Sequence, residues 1–228
     1  MIKTFNRDVE TVCGSALSGV ESPSLRLNKL LIMPDKSDKS GQLEKICGCI
    51  NTHGNKCLKE FKPLQTPSFS LKLMGRLLVN HSGGVLENAG LELHRNFGFP
   101  IIPGSALKGI ARAACRNPEQ ANRLFGDEDT KKDDSSAGKV AFLFAYPAEK
   151  FEVVVDVLTA HGGKDTQNPI PNFFPAVERG CKFYFTLRKL PNCSDADLAA
   201  AQQLLIKGLC DNGIGAKTAA GYGWFKEV

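Results

Sequence analysis

Two stretches of this 228-residue chain have residue types and spacings suited to holding an anion. The first, DNGIGAKTAAGYGWF from Asp211 to Phe225, carries Gly213, Gly215, Gly221 and Gly223, the cation Lys217, and the rings Tyr222 and Trp224. A nucleotide loop of the GxxxxGKS/T kind needs a glycine before its lysine and a helix directly after it, whose first N–H groups aim at the phosphates. Here Ala216 precedes Lys217, and Gly221 and Gly223 leave no room for that helix. A dinucleotide fingerprint fails for the same reason and lacks the acidic residue required about 20 positions later. No ATP, NAD or other cofactor is therefore expected. The loop suits the sugar–phosphate of a longer polymer.

The second stretch is GLELHRNFGFPIIPGSALKGIARAA, residues 90–114. Gly104 and Ser105 fall at the mouth of a predicted helix, with Ser105 as its expected N-cap, and a helix mouth presents unpaired N–H donors. Lys108 and Arg112 are four apart, so they share a helix face and extend the positive surface by one turn. His94 and Arg95 lie just upstream. Metal-independent RNA cleavage needs a base near the 2′-OH, an acid at the leaving oxygen and cations on the phosphate. His94 with Lys108, and His161 with Asp156, are the candidate sets. Both lack a second acid–base partner, so no catalytic residue is assigned. Of Tyr222 and Trp224, strand alternation points one inward and leaves at most one to stack on a base.

A third group, CGCINTHGNKC, places Cys47, Cys49, His53 and Cys57 within eleven residues. All four are competent zinc ligands, but the spacing is not a common zinc pattern. The reading adopted is a cysteine-containing loop with no metal. The eight cysteines lack the short, even spacing of a secreted disulfide scaffold. The N-terminal residues lack an apolar stretch of signal-peptide length, and no run approaches the roughly 20 apolar residues of a membrane span. Cytoplasmic location with reduced thiols is expected. A net charge of +5 and a pI near 8.7 shift the odds slightly toward an acidic partner.

These residues must be positioned by regular elements. Residues 70–79, 139–147, 151–159, 181–189 and 223–228 read as strands, rich in β-branched and aromatic types. GSALKGIARAACR reads as one helix. SDADLAAAQQLLIKGLC reads as another, with a capping box from Ser194 to Asp197 and a stripe of Leu198, Ala201, Leu205 and Leu209. Phe97, Phe99, Phe173 and Phe174 read as core. Residues 34–66 and 126–139 are polar and turn-rich; the former reads as an insertion or flexible segment, the latter as an exposed loop. The order predicts one α+β domain over 1–228, with a ferredoxin-like core of about 68–228: an antiparallel sheet, two main helices and insertions. In that plan the loop before the last strand can lie near the start of the first helix.

IPGSALKGIARAA, the LFG at 124–126 and the closing GIGAKTAAGYGWF resemble the two hallmark motifs of the RAMP proteins of CRISPR RNA-guided complexes. GVLENAGLELHRNFGFPIIPGS and VVVDVLTAHGGKDTQNPIPNFFPAVERGCKFYFTL narrow the resemblance to the sixth-subunit family of the Cmr (type III-B) effectors. It covers residues 24–33 and 70–228. It implies a non-catalytic subunit near the 3′ end of the guide RNA, beside stacked backbone subunits, with guide RNA, complementary target RNA and other Cmr subunits as partners and antiviral defence as the role. It also implies RNA-backbone contacts at Gly104, Ser105, Lys108, Gly213, Gly215, Lys217, Gly221 and Gly223. RAMP subunits that slice target RNA use an aspartate in a loop after the first strand; between Asn80 and Arg95 the only carboxylates are Glu87 and Glu92. Relatives carry a proline before the histidine of DVLTAHGG and tyrosines after it, where this chain has Ala160 and Gly162–Gly163. The resemblance therefore assigns no role to His161.

Overall fold

The computed structural model describes residues 20, 22–30, 39–84, 86–127, 137–160 and 170–228. In chain order the elements are helices α1 (Pro23–Leu25), α2 (Lys39–Cys49) and α3 (Asn55–Glu60), strand β1 (Phe69–Leu73), and helices α4 (Gly104–Ala113) and α5 (Pro118–Phe125). Strands β2 (Val140–Phe142), β3 (Tyr146–Pro147), β4 (Val153–Ala160), β5 (Ile170–Val177), β6 (Lys182–Phe185) and β7 (Leu187–Lys189) come next, then α6 (Asp195–Asp211) and β8 (Phe225–Lys226). These elements fall into two compact units. One comprises Met1–Phe61, Leu78–Pro100 and Lys150–Glu178; the other comprises Lys62–Leu77, Ile101–Glu149 and Arg179–Val228.

The second unit holds a four-stranded antiparallel sheet in the order β3-β6-β1-β8. With α4 after β1 and α6 after β6, this is the ferredoxin-like order read from the sequence. One face is its core: Leu71, Leu73, Phe183, Phe185 and Phe225 are all buried. Phe225 meets Phe183 and Phe185 edge-on at 5.9 and 5.7 Å, an arrangement favoured by the ring quadrupole. Helices α4 and α6 pack so closely that a Cβ on Gly208 would lie 2.7 Å from the Ile110 carbonyl oxygen.

Several predicted strands are shorter than read. Residues 139–147 and 181–189 each split, because β2 leaves the main sheet to pair with β7 while β3 stays on β6. The strand predicted to run to 79 ends at Leu73. Beyond it the chain lies along the glycine loop: Met74 N–H donates to Trp224 O at 2.7 Å, and Gly75 sits where a Cβ would be 1.9 Å from Gly221 O.

In the first unit, residues 39–60 are helical throughout, from α2 through one π-type stretch (Ile50–Gly54) into α3. The turn-rich reading of this part of 34–66 is therefore replaced by an amphipathic helix. Leu43, Ile46, Cys47 and Ile50 are buried at helical spacing, a stripe hidden among polar residues. Gly54 is not a turn residue; it lets the helix approach Phe151, whose ring would lie 2.9 Å from a Cβ there. The face turned to β4 carries Asn51 and Asn55. The Asn51 amide donates to Val153 O (2.9 Å) and accepts from Val153 N–H (2.7 Å). Asn55 does the same to Phe151 at 2.9 and 3.0 Å. Strand β4 pairs with β5 from Val153↔Val177 to Ala160↔Ile170, and β5 is a strand the sequence reading lacks. Phe99 and Phe174 are fully buried as expected, whereas Phe97 and Phe173 are half-buried.

Candidate nucleic-acid interface

Helix α4 starts without a side-chain cap. Its N-cap is Pro103, whose carbonyl accepts from Ala106 and Leu107 N–H at 3.0 and 3.1 Å. Ser105, expected to cap, lies inside the first turn with its side chain exposed, because the chain already turns helical at Gly104. The N–H groups of Gly104 and Ser105 have no acceptor among the described residues. The other two long helices of this unit are capped: Asn117 accepts from Glu119 and Gln120 N–H at the start of α5, and Ser194 and Asp197 form a capping box on α6. The mouth of α4 thus keeps the donors that capping would satisfy. Gly104 has a packing reason of its own, since a Cβ there would lie 2.0 Å from Phe142 O.

Lys108, one turn into α4, is half-buried and forms no hydrogen bond or ion pair with the described residues. Arg112 does not join it on a phosphate-facing surface. Its guanidinium turns to the C-terminus of α5, donating to Gly126 O at 2.5 Å and to Asn122 Oδ1 at 2.7 Å. That cation caps a helix end, where the last carbonyls lack partners.

The glycine loop follows α6 and closes on itself. Ile214 N–H donates to Gly223 O, Gly223 N–H to Arg76 O, and Ala220 and Tyr222 N–H both donate to Lys217 O. Gly213, Gly215, Gly221 and Gly223 all have positive φ, and so does Lys217 at +61°. Gly213 and Gly223 are buried, and a Cβ on Gly223 would lie 1.8 Å from Ile214 O. These two shape the loop. Gly215 and Gly221 are exposed, and a Cβ on Gly221 would meet open space. Tyr222, a candidate base stacker, is only 8% exposed, and the backbone pairing of the loop turns its ring inward. Trp224 is half-buried and pinned by its Nε1–H to Thr218 O at 2.9 Å.

The sheet register separates these parts. The loop meets β1 at its C-terminal end, where Met74 N–H donates to Trp224 O and Gly223 N–H to Arg76 O. Ile102 instead bridges Ala145, and Gly104 lies against Phe142 O, beside the N-terminal end of β1. The expected approach of the loop to the start of the first helix is therefore not found: the uncapped helix mouth and the Gly215–Gly221 loop with Lys217 lie toward opposite ends of the sheet.

His94 and Arg95 belong to the first unit. His94 Nδ1 accepts from Asn96 and Phe97 N–H, both at 3.3 Å, and its ring lies among Phe61, Phe97 and Phe99. Burial lowers its pKa from the ordinary value. Its geometry is that of a packed, turn-closing histidine. Arg95 is exposed, and its carbonyl accepts from Ser22 Oγ at 3.3 Å. Asp156 accepts from Val157 N–H at 2.8 Å; His161 lies outside the described residues. Of the candidate metal ligands, Cys47 is buried and its thiol is pushed up to about 12, chiefly by desolvation. Cys57 Sγ and His53 Nε2 are 3.4 Å apart. No group of three His, Cys, Asp or Glu among the described residues is placed to hold a metal ion, nor is any helix there long and apolar enough to cross a membrane.

An antiparallel ferredoxin-like sheet with a glycine-rich loop before its last strand defines a class, and comparison with known proteins agrees. The RAMP superfamily profile matches residues 70–226, and the chain belongs to that superfamily. Among curated proteins, it is 27% identical over 173 residues to the CRISPR system CMR subunit Cmr6 of Saccharolobus solfataricus, covering 69% of this chain and 56% of that protein. It is 24% identical over 229 residues to the Cmr6 subunit of Pyrococcus furiosus, covering 68% of this chain and 66% of that protein. The chain thus spans between about half and two thirds of these relatives' lengths. Among solved structures, a chain of the type III-B Cmr-beta complex bound to cognate target RNA aligns with a TM-score of 0.56 at 22% identity, over 69% of this chain and 56% of that one. A chain of a type IV-B CRISPR complex aligns at 0.51 and 11% identity, over 69% and 86%. At these identities the structural likeness concerns the fold.

Proposed function

We propose that this chain is a guide-RNA-binding, non-catalytic subunit of a type III-B CRISPR effector complex, seated near the 3′ end of the guide and acting in antiviral defence. Its partners in that role are the guide RNA, the complementary target RNA and other Cmr subunits in the cytoplasm. The observation that carries the reading is the uncapped mouth of α4 with Lys108, with the glycine loop and Lys217 as a second, separate surface. Backbone N–H groups and two lysines are the chemistry of phosphate contact, which positions a strand without reading its sequence. The Cmr6 names of its curated relatives support the same reading. The half-buried, turn-closing His94 supports binding over cleavage.

The test is binding of labelled single-stranded RNA across a salt series, with each sample also run on a denaturing gel. Intact RNA is expected, with affinity falling by about 0.7 log units per log unit of salt for each contacted phosphate. Lys108→Ala lowers that slope by about 0.7, equally for all sequences. Cut RNA, or a slope that Lys108→Ala leaves unchanged, would overturn the reading.

A further inference from the structure

We propose that the lysine-bearing face of the four-stranded sheet is a second backbone site for single-stranded RNA, built on a row of lysines. The inference rests on the RNA-binding reading above and adds a surface separate from the helix mouth and glycine loop. The register places Lys182 of β6 directly opposite Lys72 of β1, and Lys72 directly opposite Lys226 of β8. The flanking residues Leu71, Leu73, Phe183 and Phe225 are buried on the core face. Alternation along each strand therefore puts all three lysines on the other face. Neighbouring strands lie about 4.8 Å apart, so the row spans roughly 10 Å at the backbone.

Like charges directly opposite one another on adjacent strands are destabilising. A row of three is therefore unfavourable unless something negative compensates. Among the described residues no ion pair does: Arg123–Asp197, Lys139–Asp197, Lys189–Asp195 and Lys207–Asp211 involve none of the three. Lys72 and Lys182 are half-buried and Lys226 is exposed. One step along the sheet, Tyr184 of β6 lies opposite both Ser70 and Tyr146, on the same face as the lysines. Tyr184 is partly exposed, with its ring held edge-on to Tyr146 at 5.8 Å.

The ligand that fits is a polymer with regularly repeated negative charge and flat rings. A single strand crossing the β-strands lays successive phosphates along the lysine row and brings a base over Tyr184, the combination used by sequence-tolerant single-strand binders. An acidic protein surface would use the lysines and leave Tyr184 idle.

The test uses the full chain and a labelled single-stranded oligouridylate in a salt series. Four proteins are compared: wild type, Lys72→Gln/Lys182→Gln/Lys226→Gln, the same three positions changed to Arg, and Lys108→Ala/Lys217→Gly. The glutamine triple is expected to lower the salt slope by about 2 and to weaken binding about a hundredfold at about 0.1 M salt. The arginine triple keeps the wild-type slope. The glutamine triple also melts no lower than wild type, because it removes repulsion; Lys72→Gln alone breaks the row at its middle and lowers the slope by about 0.7. A glutamine triple with the wild-type slope overturns the proposal and leaves the row to an acidic protein partner. If Lys108→Ala/Lys217→Gly still lowers the slope in that case, the helix-mouth reading stands alone. The reverse pattern keeps the sheet face and removes the helix mouth, and a wild-type chain that binds no RNA overturns both.

Discussion

Lys217 occupies a backbone conformation that a glycine would adopt more easily. A non-glycine residue in the left-handed region costs about 1–2 kcal/mol, and the loop already uses glycine at each of its other positive-φ positions. A lysine retained there points to a use for the side chain, in line with strain stored at functional sites. Lys217→Gly is expected to raise unfolding stability by about 0.5–1 kcal/mol in urea titrations while lowering the salt slope of RNA binding by about 0.7. A variant that is less stable and binds equally well would make Lys217 a structural residue. At this scale the sequence shows which residues bear chemistry but not where their side chains go. Arg112 and Lys108 share a helix face by spacing, yet a long-range contact sends Arg112 to the carbonyls that end α5. Tyr222 is buried by the backbone pairing of a loop whose glycines alone were visible.

Elements were legible where a local signal agreed with the tertiary need. Helix α6 carries its capping box and buried stripe, with Ala201, Leu205 and Leu209 inside, and the β1 and β6 strands alternate as read. Helix α2 was hidden because its stripe lies among charged residues and its continuation contains NTHGNK, whose residues favour turns. Strand β5 was hidden by Pro171 and Pro175, which are tolerated because a two-stranded sheet has free edges. The asparagines of the helix following α2 have an element-scale role. Each engages both the N–H and the C=O of one residue, Val153 at the start of β4 for Asn51 and Phe151 just before it for Asn55, standing in for a neighbouring strand. Asn51→Ala leaves the Val153 pair unmet and is expected to cost about 1–3 kcal/mol, read from chemical denaturation. Asn51→Gln, with its longer reach, should not restore it. A loss below about 0.5 kcal/mol would mean that water satisfies the edge.

Across the sheet unit, one buried carboxylate ties separate segments together. Asp197 is 4% exposed and closes the cap of α6, while pairing with Arg123 of α5 at 3.0 Å and Lys139 before β2 at 3.9 Å. Burial alone would raise its pKa, but the Ser194 N–H and hydroxyl, Arg123 and Lys139 outweigh it and hold the carboxyl below its ordinary value. The sign follows from linkage: a depressed folded pKa stabilises the fold above the unfolded value and is lost as pH falls through the folded one. Stability is therefore expected to be insensitive to this group above about pH 5 and to fall below about pH 4. Asp197→Asn should flatten that acid limb in denaturation midpoints measured across pH; an unchanged limb would assign the acid sensitivity to other carboxylates.

Among the described residues, the two of β8 pair with β1 alone, through Lys72↔Lys226 and Leu73↔Phe225. Sequence separations of this size make closure slow, because chain entropy is lost before the contact forms. During synthesis β1 waits for its partner until every element between it and β8 has been made. The glycine loop, held between α6 and β8, is shaped only when that pairing closes. A chain that stops short of β8 thus cannot hold the finished loop, so the shape of the loop reports that the sheet has closed.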